Sequence, residues 1–176
     1  MRRIILAGVA TVVLGVAGAQ AQAPAQQATT CAAMDEGLTD GLEAWRSKAD
    51  VAAVGTAGEL AKAELKIGAA AKAALLPTPK VDYPVRPEKP GGSVSHGGLF
   101  SFNVTEPGTY RVALSTAAWI EVVKDGKAIA PGSFGHGPEC TTIRKIVEFP
   151  LTAGAHVLEI AANAESTVNV LVVRKK

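Results

Sequence analysis

Residues 99–114, LFSFNVTEPGTYRVAL, contain the pattern that decides the predicted fold. Large apolar side chains recur at every second position around Glu106-Pro107-Gly108: Phe100, Phe102 and Val104 before it, and Tyr110, Val112 and Leu114 after it. Alternation at period two is typical of a strand with one buried face. Proline followed by glycine favours a tight turn. The stretch therefore predicts two strands joined by a turn.

Short apolar runs separated by turn residues continue to the C-terminus. Asp125-Gly126 is a strong hairpin signal, and Thr152-Ala153-Gly154 marks another turn. The predicted strands are residues 99–104, 109–114, 118–123, 127–130, 143–151, 155–161 and 167–174. Because no helical pattern lies between them, we expect an all-β fold, namely a single, jelly-roll-like β-sandwich.

The segment before these runs is less regular. Residues 38–47 predict a short helix, in which Trp45 is a packing anchor. In residues 59–76 the alanine content favours helix, whereas apolar and charged side chains alternate at period two and favour strand. We interpret this segment as strand. Five prolines follow between residues 77 and 90, which predicts an extended crossover with room for an edge strand at 81–85.

The N-terminus has the pattern of an export signal peptide. Arg2 and Arg3 precede an apolar run at residues 4–16, and Ala19-Gln20-Ala21 supplies the small residues that signal peptidase requires. The alternative is a retained anchor, but the run is shorter than the roughly 20 residues of a membrane-spanning helix. We therefore expect cleavage after Ala21 and a periplasmic or secreted protein.

Cleavage at this point divides the chain into a signal peptide (1–21), a flexible leader with a short helix (22–57) and a β-sandwich domain (58–176). Removing Arg2 and Arg3 from the 18 basic residues leaves as many basic as acidic residues, of which there are 16. The two signs are interspersed. We therefore expect no nucleic-acid partner, which would need a basic face, and no membrane span after signal cleavage.

The chain has two cysteines, Cys31 and Cys140, and both lie beyond the signal. In an oxidising compartment an even pair predicts a disulfide. The alternative is two separate buried thiols. A disulfide would tie the N-terminal segment to a Gly- and Pro-rich loop, PGSFGHGPEC at residues 131–140, which interrupts the series of strands.

This loop is the first candidate functional site. His136 lies between two glycines, which let the backbone turn sharply or approach a ligand closely; the alternative is that the loop only shapes the disulfide. His96 lies in a second Gly-rich loop, and Arg144, which follows the first, could hold a carboxylate. If the loops meet, His96 and His136 could share a metal ion with Glu139 or Asp125. The identity of any cofactor stays open.

Two families resemble parts of this chain. Pre-peptidase C-terminal type modules, which accompany secreted bacterial enzymes, are similar in Phe100–Phe102, Pro107-Gly108-Thr109-Tyr110, Ala153-Gly154 and the final strand. A family of small exported alphaproteobacterial proteins of unknown function is similar in GTYRVAL (108–114), AWIEVVKDGK (118–127) and GHGPECTTIRKIV (135–147). Both resemblances imply an exported β-sandwich. Some members of the second family are labelled homogentisate 1,2-dioxygenase, which implies iron-dependent cleavage of an aromatic ring.

The residues themselves favour a function other than catalysis. A non-haem iron site needs two histidines and a carboxylate around one metal, and the three histidines of the chain form no paired motif. We therefore expect a non-enzymatic binding or accessory module that engages a protein, glycan or small-molecule partner through the loops around His136. The alternatives are a small metal-binding protein that uses His96 and His136, a dioxygenase, and a carbohydrate or cell-wall module that uses Trp45 or Trp119.

Overall fold

The computed structural model describes residues 30–176. The predicted signal peptide (1–21) lies outside the described residues, as does the leader up to residue 29. Three short 3-10 helices are present, Leu42–Arg46, Ala57–Lys62 and Thr78–Lys80. The strands are β1 (Lys48–Ala52), β2 (Ala70–Ala74), β3 (Leu76–Pro77), β4 (His96–Val104), β5 (Gly108–Leu114), β6 (Trp119–Lys124), β7 (Lys127–Ala128), β8 (Ser133–Gly135), β9 (Lys145–Leu151), β10 (Gly154–Asn163) and β11 (Thr167–Arg174).

These strands form two sheets that pack face to face. One sheet has the order β1-β2-β11-β5-β9-β8, and the other has the order β3-β4-β10-β6-β7. Among the described strands, only β1 and β2 pair in parallel. One core of buried apolar side chains draws on both sheets, with Phe100 and Phe102 from the second and Val112, Phe149 and Val170 from the first. The expected all-β sandwich is confirmed.

The alternating pattern of residues 99–114 supplies both sheets with core side chains. Phe100, Phe102 and Val104 of β4 are buried, and so are Tyr110, Val112 and Leu114 of β5. The turn between the two strands carries the chain from one sheet to the other, and the Tyr110 hydroxyl donates a 2.8 Å hydrogen bond to the Glu106 carbonyl across it. The Asp-Gly hairpin is also confirmed, because Asp125 and Gly126 have φ values of 50° and 72° between β6 and β7.

The N-terminal segment is attached to the sandwich by a disulfide and by hydrogen bonds next to it. Cys31 and Cys140 form the expected disulfide. Next to it, the Asp35 carboxylate accepts 2.6 Å hydrogen bonds from both the backbone N–H and the hydroxyl of Thr142. Trp45, in the 3-10 helix Leu42–Arg46, is fully buried, and its Nε1 donates to the same hydroxyl at 2.8 Å. The packing role predicted for Trp45 is confirmed.

Residues 59–76 are not one continuous strand, and that prediction is wrong in part. Residues 57–62 form a 3-10 helix, and the named strands within the segment are β2 (Ala70–Ala74) and the first residue of β3, Leu76. Between the helix and β2 the chain is extended beside the free edge of β4, where Leu65 N donates to Ser101 O and Ser101 N donates to Ala63 O. The alternation of buried and exposed residues holds there, and Gly68, at φ 82°, then redirects the chain into the other sheet.

Residues 81–85 are not an edge strand either. Together with the residues that follow, they form a covering segment, here called the strap (residues 81–89), which crosses the outer face of the five-stranded sheet. Prolines have no backbone N–H group to donate to a neighbouring strand, so the strap does not pair as a strand. Its polar contacts include side chains of the strands beneath it. Residues 48–52, which the sequence placed in the leader segment, form β1 and complete the edge of the six-stranded sheet.

Replacing Thr142 with valine should destabilise the protein by about 1–3 kcal/mol, because buried Trp45 Nε1 loses its acceptor and Asp35 loses a donor. Thr142→Ser keeps the hydroxyl and should cost much less. The measurement is urea unfolding followed by tryptophan fluorescence. A larger loss for Thr142→Ser than for Thr142→Val would show that packing of the threonine methyl group, rather than the hydroxyl, holds the N-terminal segment.

Candidate functional site

The Gly- and Pro-rich loop at residues 131–140 contains a short strand. β8 (Ser133–Gly135) pairs with β9 at the edge of the six-stranded sheet, although glycine gives a weak strand signal. Phe134, at the centre of β8, is 80% exposed. After β8 the chain turns at Gly137, where an added Cβ would lie 2.3 Å from the Ile143 carbonyl oxygen. Only glycine fits this approach, so part of the loop's composition serves the path to the disulfide.

His136 is an exposed residue at the rim of a polar cleft of about 430 Å³. Its Nδ1 lies 3.3 Å from the carbonyl oxygen of Arg144, so the contact between these two residues involves the Arg144 backbone. The cleft wall contains a half-buried ion pair between Arg111 Nε and Glu148 Oε1 at 3.1 Å. Glu148 also pairs with Lys175 at 2.9 Å. The Arg144 side chain is exposed and takes part in neither ion pair.

His96 lies on the opposite side of the sandwich from His136. It begins β4 where that strand pairs with β3, whereas His136 follows β8, which lies beside the far edge formed by β6 and β7. Within residues 30–176, no group of three or more His, Cys, Asp or Glu residues could hold a metal ion. The structure therefore does not bring His96 and His136 together.

His156, the third histidine, belongs to the core. It is buried and stacks on Phe102 with ring centroids 5.4 Å apart, and its Nδ1 lies 2.9 Å from the Gly154 carbonyl oxygen. Burial lowers the pKa of His156, and the hydrogen bond to Gly154 opposes that shift only in part. Burial thus favours the neutral imidazole, which packs in the core.

A cavity of about 590 Å³ opens where the edges of the two sheets face each other. The segment that follows β7 closes one side, and it includes Pro131 of the Gly- and Pro-rich loop. The apolar walls come from both sheets and from this connection: Ile120, Ala128, Ile129, Ala130, Phe134, Val147 and Phe149. β7 and β8, which border the cavity, are only two and three residues long, whereas the core side chains at its base, Ile120, Val147 and Phe149, are buried.

The mouth of the cavity is polar and is organised around Trp119. Lys89 Nζ lies 5.2 Å and Lys145 Nζ lies 5.5 Å from the centre of the indole ring, within the range of cation–π attraction. Lys145 Nζ also donates a 2.8 Å hydrogen bond to the Ala118 carbonyl. Burial, with a smaller contribution from the charge of Lys89, lowers the pKa of Lys145.

Two carboxyl groups position the strap that brings Lys89 to the mouth. Glu159 of β10 and Glu121 of β6 lie opposite each other in the sheet register. Glu159 Oε1 accepts a 3.1 Å hydrogen bond from Val85 N, and Glu121 Oε1 accepts one of 3.1 Å from Glu88 N. Glu121 Oε1 also accepts from Trp119 Nε1 at 2.9 Å. The same carboxylate therefore fixes both the strap and the indole ring.

Sequence reasoning found the loop but not the cavity beside it. Pro131 and Phe134 of the loop line the cavity, whereas His136, the residue that the glycine pattern points to, lies in the neighbouring cleft. The sequence feature that could identify Phe134 as a site residue is the presence of an aromatic side chain within a Gly- and Pro-rich loop. Nothing in the sequence pairs Lys89 with Lys145, which are brought together by the strap.

The described part of the chain forms a disulfide-linked, two-sheet β-sandwich with an apolar cavity between its sheet edges. No protein-family model and no curated protein matches this sequence. None of the helices in residues 30–176 is both long and apolar enough to cross a membrane.

Glu159 should make the stability of the fold depend on pH. It is fully buried, and burial, together with the charge of Glu121, raises the pKa of Glu159 from an ordinary value of 4.5 to about 7. At a pH between 4.5 and about 7, Glu159 has lost its proton in the unfolded chain but still carries it in the folded protein. The contribution of this group to stability is therefore retained at acidic pH and falls as the pH rises towards 7.

Glu159→Gln removes the titration but keeps an oxygen that can accept from Val85 N. The free energy of unfolding of the variant minus that of the wild type should be larger at pH 8 than at pH 5, by on the order of 2 kcal/mol. Urea unfolding at the two pH values measures this difference, with the exposed Glu165→Gln as the control. A difference between variant and wild type that is the same at both pH values would contradict the assignment.

Proposed function

We propose that the protein is an exported, non-enzymatic binding protein that holds a small apolar ligand in the cavity between the sheet edges. The observation that carries the proposal is the cavity itself, with about 590 Å³ of space and mainly apolar walls. Cavities that bind small molecules typically measure about 300–1,000 Å³ and combine apolar walls with a few placed polar groups. The cavity borders the loop at residues 131–140, where the sequence predicted partner binding.

The chemistry of the walls supports binding rather than catalysis. Among the described residues, those that line the cavity include no serine, threonine, cysteine or histidine, which are common nucleophiles and proton-transfer groups. The ionisable lining residues are Glu88, Lys89, Glu121 and Lys145, which surround the mouth. A dioxygenase would need two histidines and a carboxylate around one iron, whereas His96 and His136 lie on opposite sides of the sandwich.

Export is part of the same proposal. A disulfide between Cys31 and Cys140 is typical of proteins that fold in an oxidising compartment, since cytosolic thiols are kept reduced. The signal pattern at residues 1–21 and the similarity to small exported alphaproteobacterial proteins support the same location. A periplasmic or secreted protein with a ligand cavity would act as a carrier or an accessory module.

A neutral fluorescent probe, N-phenylnaphthylamine, tests the binding function directly. Its fluorescence rises in apolar surroundings, so a saturable rise with one site per chain is expected. Ala130→Trp, which places a large ring at the exposed rim of the cavity, should weaken the probe's affinity about tenfold or more. Direct excitation of the probe avoids any signal from the added tryptophan.

The matched control is Ala61→Trp, which adds the same ring at an exposed alanine of the 3-10 helix Ala57–Lys62. This variant should bind the probe like the wild type. Circular dichroism verifies that both variants are folded. No saturable binding by the wild type, or equal weakening in the two variants, would overturn the proposal that the cavity is the binding site.

The export prediction is tested by expressing the full chain in a Gram-negative host. The periplasmic fraction should contain a mature protein that begins at Gln22, without free thiols in denaturant until a reductant is added. Intact mass and thiol titration measure the two properties. Recovery of the full-length chain with Met1 to Ala21 attached, or of two free thiols, would contradict the prediction.

A further inference from the structure

We infer that the cavity selects an amphipathic organic anion, with the anionic group between Lys89 and Lys145 and the apolar body against the inner walls. This inference rests on the proposed binding function and adds the chemical class of the ligand. A carboxylate or sulfonate attached to an aromatic or aliphatic body belongs to this class.

The two lysines supply positive charge that no carboxylate in the described structure neutralises directly. The ion pairs among residues 30–176 involve neither Lys89 nor Lys145. Both ammonium groups instead approach the same indole ring, that of Trp119. Two like charges at one ring repel each other, and an anion placed between them would be attracted to both.

Lys145 is prepared to donate to a ligand. It is half-buried, and one of its three N–H donors is used by the Ala118 carbonyl. The two remaining donors have no protein acceptor within the described residues, so a bound anion could accept from them in a charge-assisted hydrogen bond. Lys89 is exposed at the end of the strap and can approach the same anion from the solvent side.

The carboxylates at the mouth restrict where an anion can lie. Glu121 Oε1 already accepts from Trp119 Nε1 and from Glu88 N, so its charge is engaged beside the indole ring. Glu88 also lines the cavity and is exposed. An anionic group is therefore favoured on the lysine side of Trp119 and disfavoured on the glutamate side, which orients the ligand.

The body of the ligand would enter between Ile120 and Ile129 on one side and Val147 and Phe149 on the other. These side chains offer no hydrogen-bond donors or acceptors, so a polar body would lose its hydration without compensation. Phe134 stands exposed at the rim and would cover the apolar body once it is bound. An apolar body with one anionic end matches this division of the cavity.

Two probes with the same ring system test the preference for an anionic group separately from the binding of an apolar body. Anilinonaphthalenesulfonate and N-phenylnaphthylamine differ only in the sulfonate group. At low ionic strength the wild type should bind the sulfonate probe about tenfold more tightly than the neutral one, and added salt should reduce that difference. Fluorescence titration of the mature chain measures both affinities.

Lys89→Gln and Lys145→Gln should each weaken binding of the sulfonate probe about three- to tenfold and should affect binding of the neutral probe by a clearly smaller factor. Lys145→Arg keeps the charge and should restore most of the affinity. Lys127→Gln, at an exposed lysine of β7 outside the lining, is the matched control and should change neither affinity.

The outcomes distinguish this inference from the proposed function. If the neutral probe binds in the cavity but the sulfonate gives no advantage, or if the lysine variants and Lys127→Gln behave alike, the anion selectivity is wrong and the binding function stands. If the neutral probe does not bind at all, the proposed function itself is wrong. Because Lys89 is exposed on the strap, Lys89→Gln keeps the test decisive even if Lys145→Gln fails to fold.

Discussion

The hydrogen bond from Val85 N to the buried carboxyl group of Glu159 holds the outer layer of the five-stranded sheet in place. β10 is bonded to β4 on one side and to β6 on the other, and it is buried on both faces along much of its length. A strand buried on both faces needs a cover on the outside, and the strap provides it. Tyr83 adds a second attachment, because its hydroxyl donates to Ile160 O at 3.1 Å. The position of Lys89, and with it the mouth of the cavity, depends on these bonds.

The Gly- and Pro-rich loop divides its residues between two roles. Gly137 and Cys140 carry the chain to the disulfide, where Asp35 and Thr142 complete the attachment of the N-terminal segment. Phe134, earlier in the loop, contributes to the cavity through the short strand β8. The path to the disulfide therefore explains the glycine at position 137. The first half of the loop lines the opening between the sheets through Pro131 and Phe134.

Local pattern was a reliable guide where each strand has one face in the core. The runs at residues 99–104 and 109–114 appear as strands, because a two-residue period allows only one arrangement that buries the apolar side. Residues 167–174 also form a strand, and its apolar residues are buried on both faces. Local pattern failed at residues 59–62 and 81–85. The alternation is real at Ala63 and Leu65, but these residues lie beside the edge of β4 instead of within a long strand. The strap is extended without being a strand, because its partners include the side chains of Glu159 and Glu121, which a pattern of burial does not specify.

The sequence by itself determined the all-β class, the turns, the pairing of Cys31 with Cys140 and the packing role of Trp45. These properties follow from side-chain period, turn chemistry and cysteine count, which are local or involve a single pair. The tertiary structure alone decided that His96 and His136 lie apart, and that Lys89 and Lys145 meet at Trp119. The physical reason is that a cavity forms between elements far apart in the chain. Its residues are selected by the order of strands in two sheets and by the path of the strap, and neither leaves a periodic mark in the sequence.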